Sequence, residues 1–158
     1  MATKPNDFPV LDPDALEARI GSAYPETFQG IVEGREVKAL GEALGLRNFG
    51  VNLVTLRPGG GSAQRHWHTH EDEFVYVLEG SLSLVTEAGE TVLGPGMAAG
   101  FPAGVADGHC FLNRTDKPAR FLVVGDRSAK DECHYPDVDL HMKRGLSARF
   151  TRKDGSGY

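Results

Sequence analysis

Residues 60–80 read GGSAQRHWHTHEDEFVYVLEG and set His66, His68 and Glu73 into a segment that otherwise has the composition of two strands. Side chains alternate faces along a strand, so His66 and His68 point the same way and can reach one ion, while Trp67 faces the other side. Thr69-His70-Glu71-Asp72 is polar and suits a turn, with His70, Glu71 and Asp72 in solvent. The run Glu73-Phe74-Val75-Tyr76-Val77-Leu78 is rich in the β-branched and aromatic residues that strands favour. Glu73 therefore opens the second strand of an antiparallel pair, opposite the two imidazoles, and shares its inward phase with Val75 and Val77. Phe74, Tyr76 and Leu78 then face outward. Two neutral nitrogens and one anionic oxygen make three candidate metal ligands.

A second segment runs from Gly96 through Phe101, Pro102 and Gly104 to His109-Cys110-Phe111-Leu112-Asn113. His109, Phe111 and Asn113 share a face of a short strand, which makes His109 a fourth candidate ligand, and Cys110 alternates into the core. Asn113 reads either as an orienter of His109 or as a turn residue. The two segments together resemble the paired motifs of the cupin superfamily. The first, G-x5-H-x-H-x4-E-x6-G, is met by Gly60, His66, His68, Glu73 and Gly80. The second, G-x5-P-x-G-x2-H-x3-N, is met by Gly96, Pro102, Gly104, His109 and Asn113, except that four residues, Val105 to Gly108, stand where two are usual. That departure leaves a second register with Asp107 at the ligand position; the spacing to Asn113 favours His109. The resemblance implies that His66, His68, Glu73 and His109 hold one divalent metal ion per chain, iron, zinc, manganese or nickel, inside a small barrel. From about Leu40 to His141 the chain is similar to compact single-domain bacterial cupins of the RmlC-like superfamily, the cupin type 2 conserved barrel, some of which are called sugar-phosphate isomerases or transcriptional regulators.

The rest of the sequence is consistent with that architecture. A chain of 158 residues can bury the core of one domain, and 20 Gly with 9 Pro make it turn-rich. Strands are expected at Phe49 to Leu56, Gln64 to His68, Glu73 to Glu79, Ser81 to Thr86, Thr91 to Leu93, Ala98 to Phe101, His109 to Asn113 and Ala119 to Gly125. The fold class is all-β, a double-stranded β-helix or jelly-roll cupin barrel over 36–141, with an irregular N-terminal arm, 1–35, and a C-terminal tail, 142–158. Within the arm, Asp12 and Pro13 suit the start of a short helix to Ile20. Glu36 to Leu46 stays open between helix and strand, because Val37, Leu40 and Leu44 have helical spacing while Gly41 and Gly45 oppose it. In the tail, His134 and His141 read as surface residues and Lys153 to Tyr158 as frayed.

A net charge of -5 with scattered Lys and Arg gives no footprint for nucleic acid. No apolar run is long enough for a membrane span, and MATKPNDFPVLDPD lacks the apolar stretch of a signal peptide, so a cytoplasmic protein is expected. Cys110 and Cys133 then read as free thiols. Arg57, Gln64 and Arg65 flank the first motif and are candidates for an anionic substrate group. Three imidazoles and a carboxylate leave two positions of an octahedron open. They suit a small metal-dependent enzyme, an isomerase or a dioxygenase, acting on a polar oxygenated small molecule in the barrel; a non-catalytic cupin that binds or senses a sugar or organic acid uses the same ligands. The general base is left open. The outward Phe74, Tyr76 and Leu78 call for cover, so a homodimer is expected, with the arm or the tail over that face.

Overall fold

A computed structural model describes residues 10–145 and 148–158 of the chain. Its strands are β1 (Arg19–Ile20), β2 (Arg35–Lys38), β3 (Phe49–Leu56), β4 (Trp67–His68), β5 (Glu73–Glu79), β6 (Leu82–Thr86), β7 (Gly89–Leu93), β8 (Ala98–Phe101), β9 (Cys110–Leu112), β10 (Ala119–Asp126), β11 (Glu132–His134), β12 (His141–Lys143) and β13 (Arg149–Thr151). They form a six-stranded sheet ordered β1-β2-β3-β10-β5-β8, a four-stranded sheet β13-β12-β11-β4 and a three-stranded sheet β7-β6-β9, with every pairing antiparallel. The result is the all-β jelly roll that the strand spacing predicts.

Burial follows the two-residue period. Along β5, Val75 and Val77 are fully buried while Phe74, Tyr76 and Leu78 stay exposed. Val75, Val77, Phe121 and Leu56 of the six-stranded sheet pack against Leu82, Leu93 and Phe111 of the three-stranded sheet. A second core joins Tyr24 and Val32 of the arm to Cys133, Tyr135, Leu140 and Met142. The described part of the arm thus covers the four-stranded sheet of its own chain and leaves Phe74, Tyr76 and Leu78 bare. Residues 1–9 of the arm lie outside the described residues.

Several local expectations change with tertiary context. The helix expected from Pro13 to Ile20 is one 3-10 turn, Pro13–Ala15, in which the Asp12 side chain accepts from the Asp14 N–H at 2.9 Å. It stops there because Arg19 and Ile20 pair with Val37 and Glu36. The open segment 36–46 is both structures in turn, strand β2 and then one helical turn α1 (Leu40–Ala43). Gly41 is admitted in that turn by close packing: a Cβ there would lie 2.9 Å from the Val51 nitrogen. The residues expected to fray, Lys153 to Tyr158, are tied back, with the Lys153 N–H donating to Asp139 Oδ1 at 2.9 Å and the Tyr158 hydroxyl to the Asp139 carbonyl. Among the described residues no helix is long and apolar enough to cross a membrane.

Candidate metal centre

His66 and His68 project from one face of the same strand segment, as their spacing requires, and each is tied to a different partner. His66 is bridged to His109, each backbone N–H donating to the other's carbonyl at 3.1 and 2.8 Å. That ladder contact brings two imidazoles 43 positions apart in sequence to a ring separation of 4.8 Å. His68 pairs instead with Cys133 on β11. Glu73 is not the ladder partner of either histidine, contrary to the antiparallel pair expected from sequence. The polar turn 69–72 carries the chain from the four-stranded sheet into the six-stranded one, where β5 lies between β10 and β8. Glu73 therefore reaches the imidazoles from a different sheet, across the interior.

Three of the four sequence candidates form one mutual group, and the fourth, His68, meets it through Glu73. Ligand atoms of His66, Glu73 and His109 all lie within 4.8 Å of one another. His109 Nε2 is 3.4 Å from Glu73 Oε1, and His68 Nε2 is 3.7 Å from Glu73 Oε2. Phe101, the cross-strand neighbour of Glu73, stacks flat on the His109 ring at 3.5 Å between centroids and fixes its plane. Asp107, the alternative from the second register, is turned away and accepts from the Glu87 N–H at 2.9 Å.

Hydrogen bonds at the far side of the rings decide which nitrogen is free. His66 Nδ1 donates to the Gln64 carbonyl at 2.8 Å, which leaves Nε2 with a bare lone pair. His68 Nδ1 lies 2.7 Å from Asp131 Oδ2, a carboxylate with 1% residual exposure, and its Nε2 is freed in the same way. Burial pushes His66 down to about 4, so it is neutral near pH 7. Burial raises the Glu73 carboxyl, but its hydrogen bond with His109 and the charges of the surrounding imidazoles outweigh this and bring it down to about 2. Glu73 is thus an anion set among the three imidazoles. This donor set fits a divalent cation. Imidazole nitrogens and a carboxylate oxygen that meet this closely offer such a cation a mixed nitrogen and oxygen ligand set.

Other residues missed by the sequence reading gather round the cluster. Glu71 is buried rather than solvated: its carboxylate accepts from the Ser128 N–H at 2.9 Å and from Arg144 at 2.8 Å. The Cys133 thiol lies 3.7 Å from His68 Nε2, and burial pushes it far above its ordinary pKa, so it stays protonated. Asp131 stands 63 residues from His68, beyond any spacing rule. Asn113 does not orient His109; its amide donates to the Leu56 and Lys117 carbonyls and braces the neighbouring turn. His134 and His141 are part-buried on the outer face of β11 and β12, where they form a separate group with Glu132, itself 3.6 Å from Lys143 Nζ. Both cysteines are free and buried.

A cavity of about 320 Å³ opens from the cluster into the interior, lined by His66, His68 and Glu73 together with Tyr24, Arg35 and Tyr135. The arginines proposed from sequence for an anionic group are already neutralised. Arg57 pairs with Glu36 at 2.6 Å, and Arg65 forks onto Asp137 at 2.8 and 2.7 Å while also meeting Glu87 at 2.8 Å.

A jelly roll whose interior brings three histidines and a carboxylate together has the makings of a metal-binding β-barrel, and the comparisons with known proteins agree on the fold. Residues 52–125 match the family described as Cupin domain. The chain is 50% identical to a protein of Silicibacter pomeroyi described as a sugar phosphate isomerase from a cupin superfamily, with 94% of this chain and 96% of that one aligned at a TM-score of 0.91. A putative sugar phosphate isomerase from Acidithiobacillus ferrooxidans is 33% identical over 76% of this chain and 77% of its own, TM-score 0.70. The polyketide cyclase RemF from Streptomyces resistomycificus is 26% identical over 74% and 78%, TM-score 0.62. No match was found among the curated proteins. This chain belongs to the cupin superfamily.

Proposed function

We propose that this cupin is a metal-dependent enzyme whose inner cavity takes a polar, oxygen-rich small molecule, and that its reaction is the isomerisation of a sugar phosphate. The observation that carries the reading is the convergence of potential ligand groups: His68 Nε2 and the Glu73 carboxylate at 3.7 Å, with His66 and His109 alongside. His66, His68, Glu73 and His109 would hold one divalent ion per chain, iron, zinc, manganese or nickel. Such an ion supplies a Lewis acid that polarises a carbonyl beside a hydroxyl, the functional pair on which aldose–ketose interconversion turns. The choice of substrate is supported by the 50% identical relative described as a sugar phosphate isomerase.

The chain's own groups bind and orient. Burial pushes the Tyr24 phenol up to about 12 and the Tyr135 phenol higher still, so neither is a base; the Tyr135 hydroxyl is engaged with Tyr24 and Cys133, and the Tyr24 hydroxyl can donate to an oxygen in the cavity. Phe111 and Phe121 give part of the cavity an apolar wall. A cytoplasmic location fits the two buried free thiols.

The test is metal content by mass spectrometry on protein purified without a tag or added metal, and on a His66→Ala/His68→Ala variant, paired with aldose–ketose interconversion of sugar phosphates. Near-stoichiometric metal and turnover, both lost in the variant, are expected. Metal without turnover of any sugar phosphate would overturn the isomerase reading in favour of a ligand-binding cupin, and oxygen uptake by an iron-loaded protein would replace it with a dioxygenase. Metal retained by the variant would overturn the ligand assignment.

A further inference from the structure

The cavity carries a positive group that the metal cluster does not use. Arg35, the first residue of β2, lines the same 320 Å³ space as His66, His68 and Glu73. Its Nη1 donates to the Ser62 carbonyl at 2.6 Å, which fixes the guanidinium in place. Its Nε is buried and has no hydrogen-bond partner among the described residues. Arg144, the other arginine on this cavity, is neutralised by Glu71, and Arg57, Arg65, Arg114 and Arg120 each meet a carboxylate at 3.3 Å or less. Among the described residues Arg35 meets none.

A guanidinium taken from water without a counter-charge is costly to keep, and a fold retains one where something else brings the negative charge. Burial accordingly lowers the Arg35 pKa from its ordinary value. The planar fork of N–H donors matches the oxygens of a phosphate or a carboxylate. The Tyr24 hydroxyl beside it suits such a ligand: it keeps its proton, accepts from Tyr135 and so has its own O–H to donate, and an oxyanion only accepts. The volume is that of a small-molecule pocket.

We propose that Arg35 is the anchor for an oxyanion, a phosphate monoester or a carboxylate, at one end of the molecule whose other oxygens meet the histidine–carboxylate cluster. The inference rests on the reading of this cavity as the ligand site, and it names the substrate class by its charge. It also gives the N-terminal arm a role, because Ser22 and Tyr24 line the same cavity as Arg35.

The test uses the full chain after chelation, so that an added anion cannot bind through a metal. Inorganic phosphate and, separately, acetate are titrated calorimetrically and by thermal shift into wild type, Arg35→Gln, Arg35→Lys and Arg57→Gln. Wild type is expected to bind at least one of the two anions, with a rise in Tm, and the stronger of the two identifies the source of the oxyanion. Affinity should fall at least tenfold in Arg35→Gln, less in Arg35→Lys, and stay unchanged in Arg57→Gln. Equal affinity in wild type and both Arg35 variants, or no binding of either anion by wild type, would overturn the proposal. If Arg35→Gln does not fold, the comparison of Arg35→Lys with wild type decides by the same criterion. Metal content of the unchelated variants separates the two readings. Arg35→Gln should retain wild-type metal, whereas loss of the metal reading leaves the anion result standing by itself.

Discussion

At His68 the two ring nitrogens have separate tasks. Nδ1 is held by Asp131 and Nε2 faces Glu73, so the carboxylate on one side dictates that the lone pair appears on the other. Asp131→Asn should therefore weaken metal binding by about 10- to 100-fold, read by competition with a chromophoric chelator, with the circular dichroism spectrum unchanged. Unaltered affinity would mean that Asp131 only braces the His70 backbone, whose N–H it accepts at 3.0 Å. The thiols give a second prediction at this scale. Burial pushes Cys110 up to about 11 and Cys133 well beyond it, and both side chains are enclosed. Neither should react with iodoacetamide at pH 8 in native protein, and both should react in denaturant, as counted by mass spectrometry; rapid native labelling would mean an open path to the thiolate.

Elements stand or fall on a few tight contacts. Gly80 turns the chain from β5 to β6 at φ 74°, and a Cβ there would sit 2.6 Å from the Pro118 carbonyl oxygen. Gly80→Ala should cost about 1–2 kcal/mol from the left-handed backbone alone, with the clash added. Urea unfolding measures this, and a loss under ~0.5 kcal/mol would show that the turn relaxes freely. Phe121, fully buried between the six- and three-stranded sheets, is the larger test of packing. Its replacement by Ala should cost about 3–5 kcal/mol. Most elements were legible beforehand because strand phase is local: β3, β5 and β8 begin and end where alternation and turn residues place them. The misjudged ones, the helix at Pro13 and the fraying of the last residues, are settled by partners elsewhere in the chain, Val37 and Asp139.

For the molecule as a whole, the outer face of the six-stranded sheet is the unfinished surface. Phe74, Tyr76 and Leu78 remain 46%, 38% and 39% exposed on β5, and Phe49 joins Phe74 in a shallow hollow. Neither the described arm nor the tail covers them, so a second copy is the expected occupant. Light scattering should give a dimer for wild type and a monomer for Phe74→Glu/Tyr76→Glu; a monomeric wild type would refute this. By itself the sequence determined the strand phases, the inward set His66, His68, Glu73 and His109, and the outward apolar stripe, because each follows from alternation or from short fixed spacings. Only the tertiary structure decided that Glu73 approaches from a different sheet, that Asp131 orients His68 and that Arg35, rather than Arg57 or Arg65, is the bare cation in the cavity. Those facts depend on which distant segments pack together and on which charges find partners, and neither leaves a local mark in the order of residues.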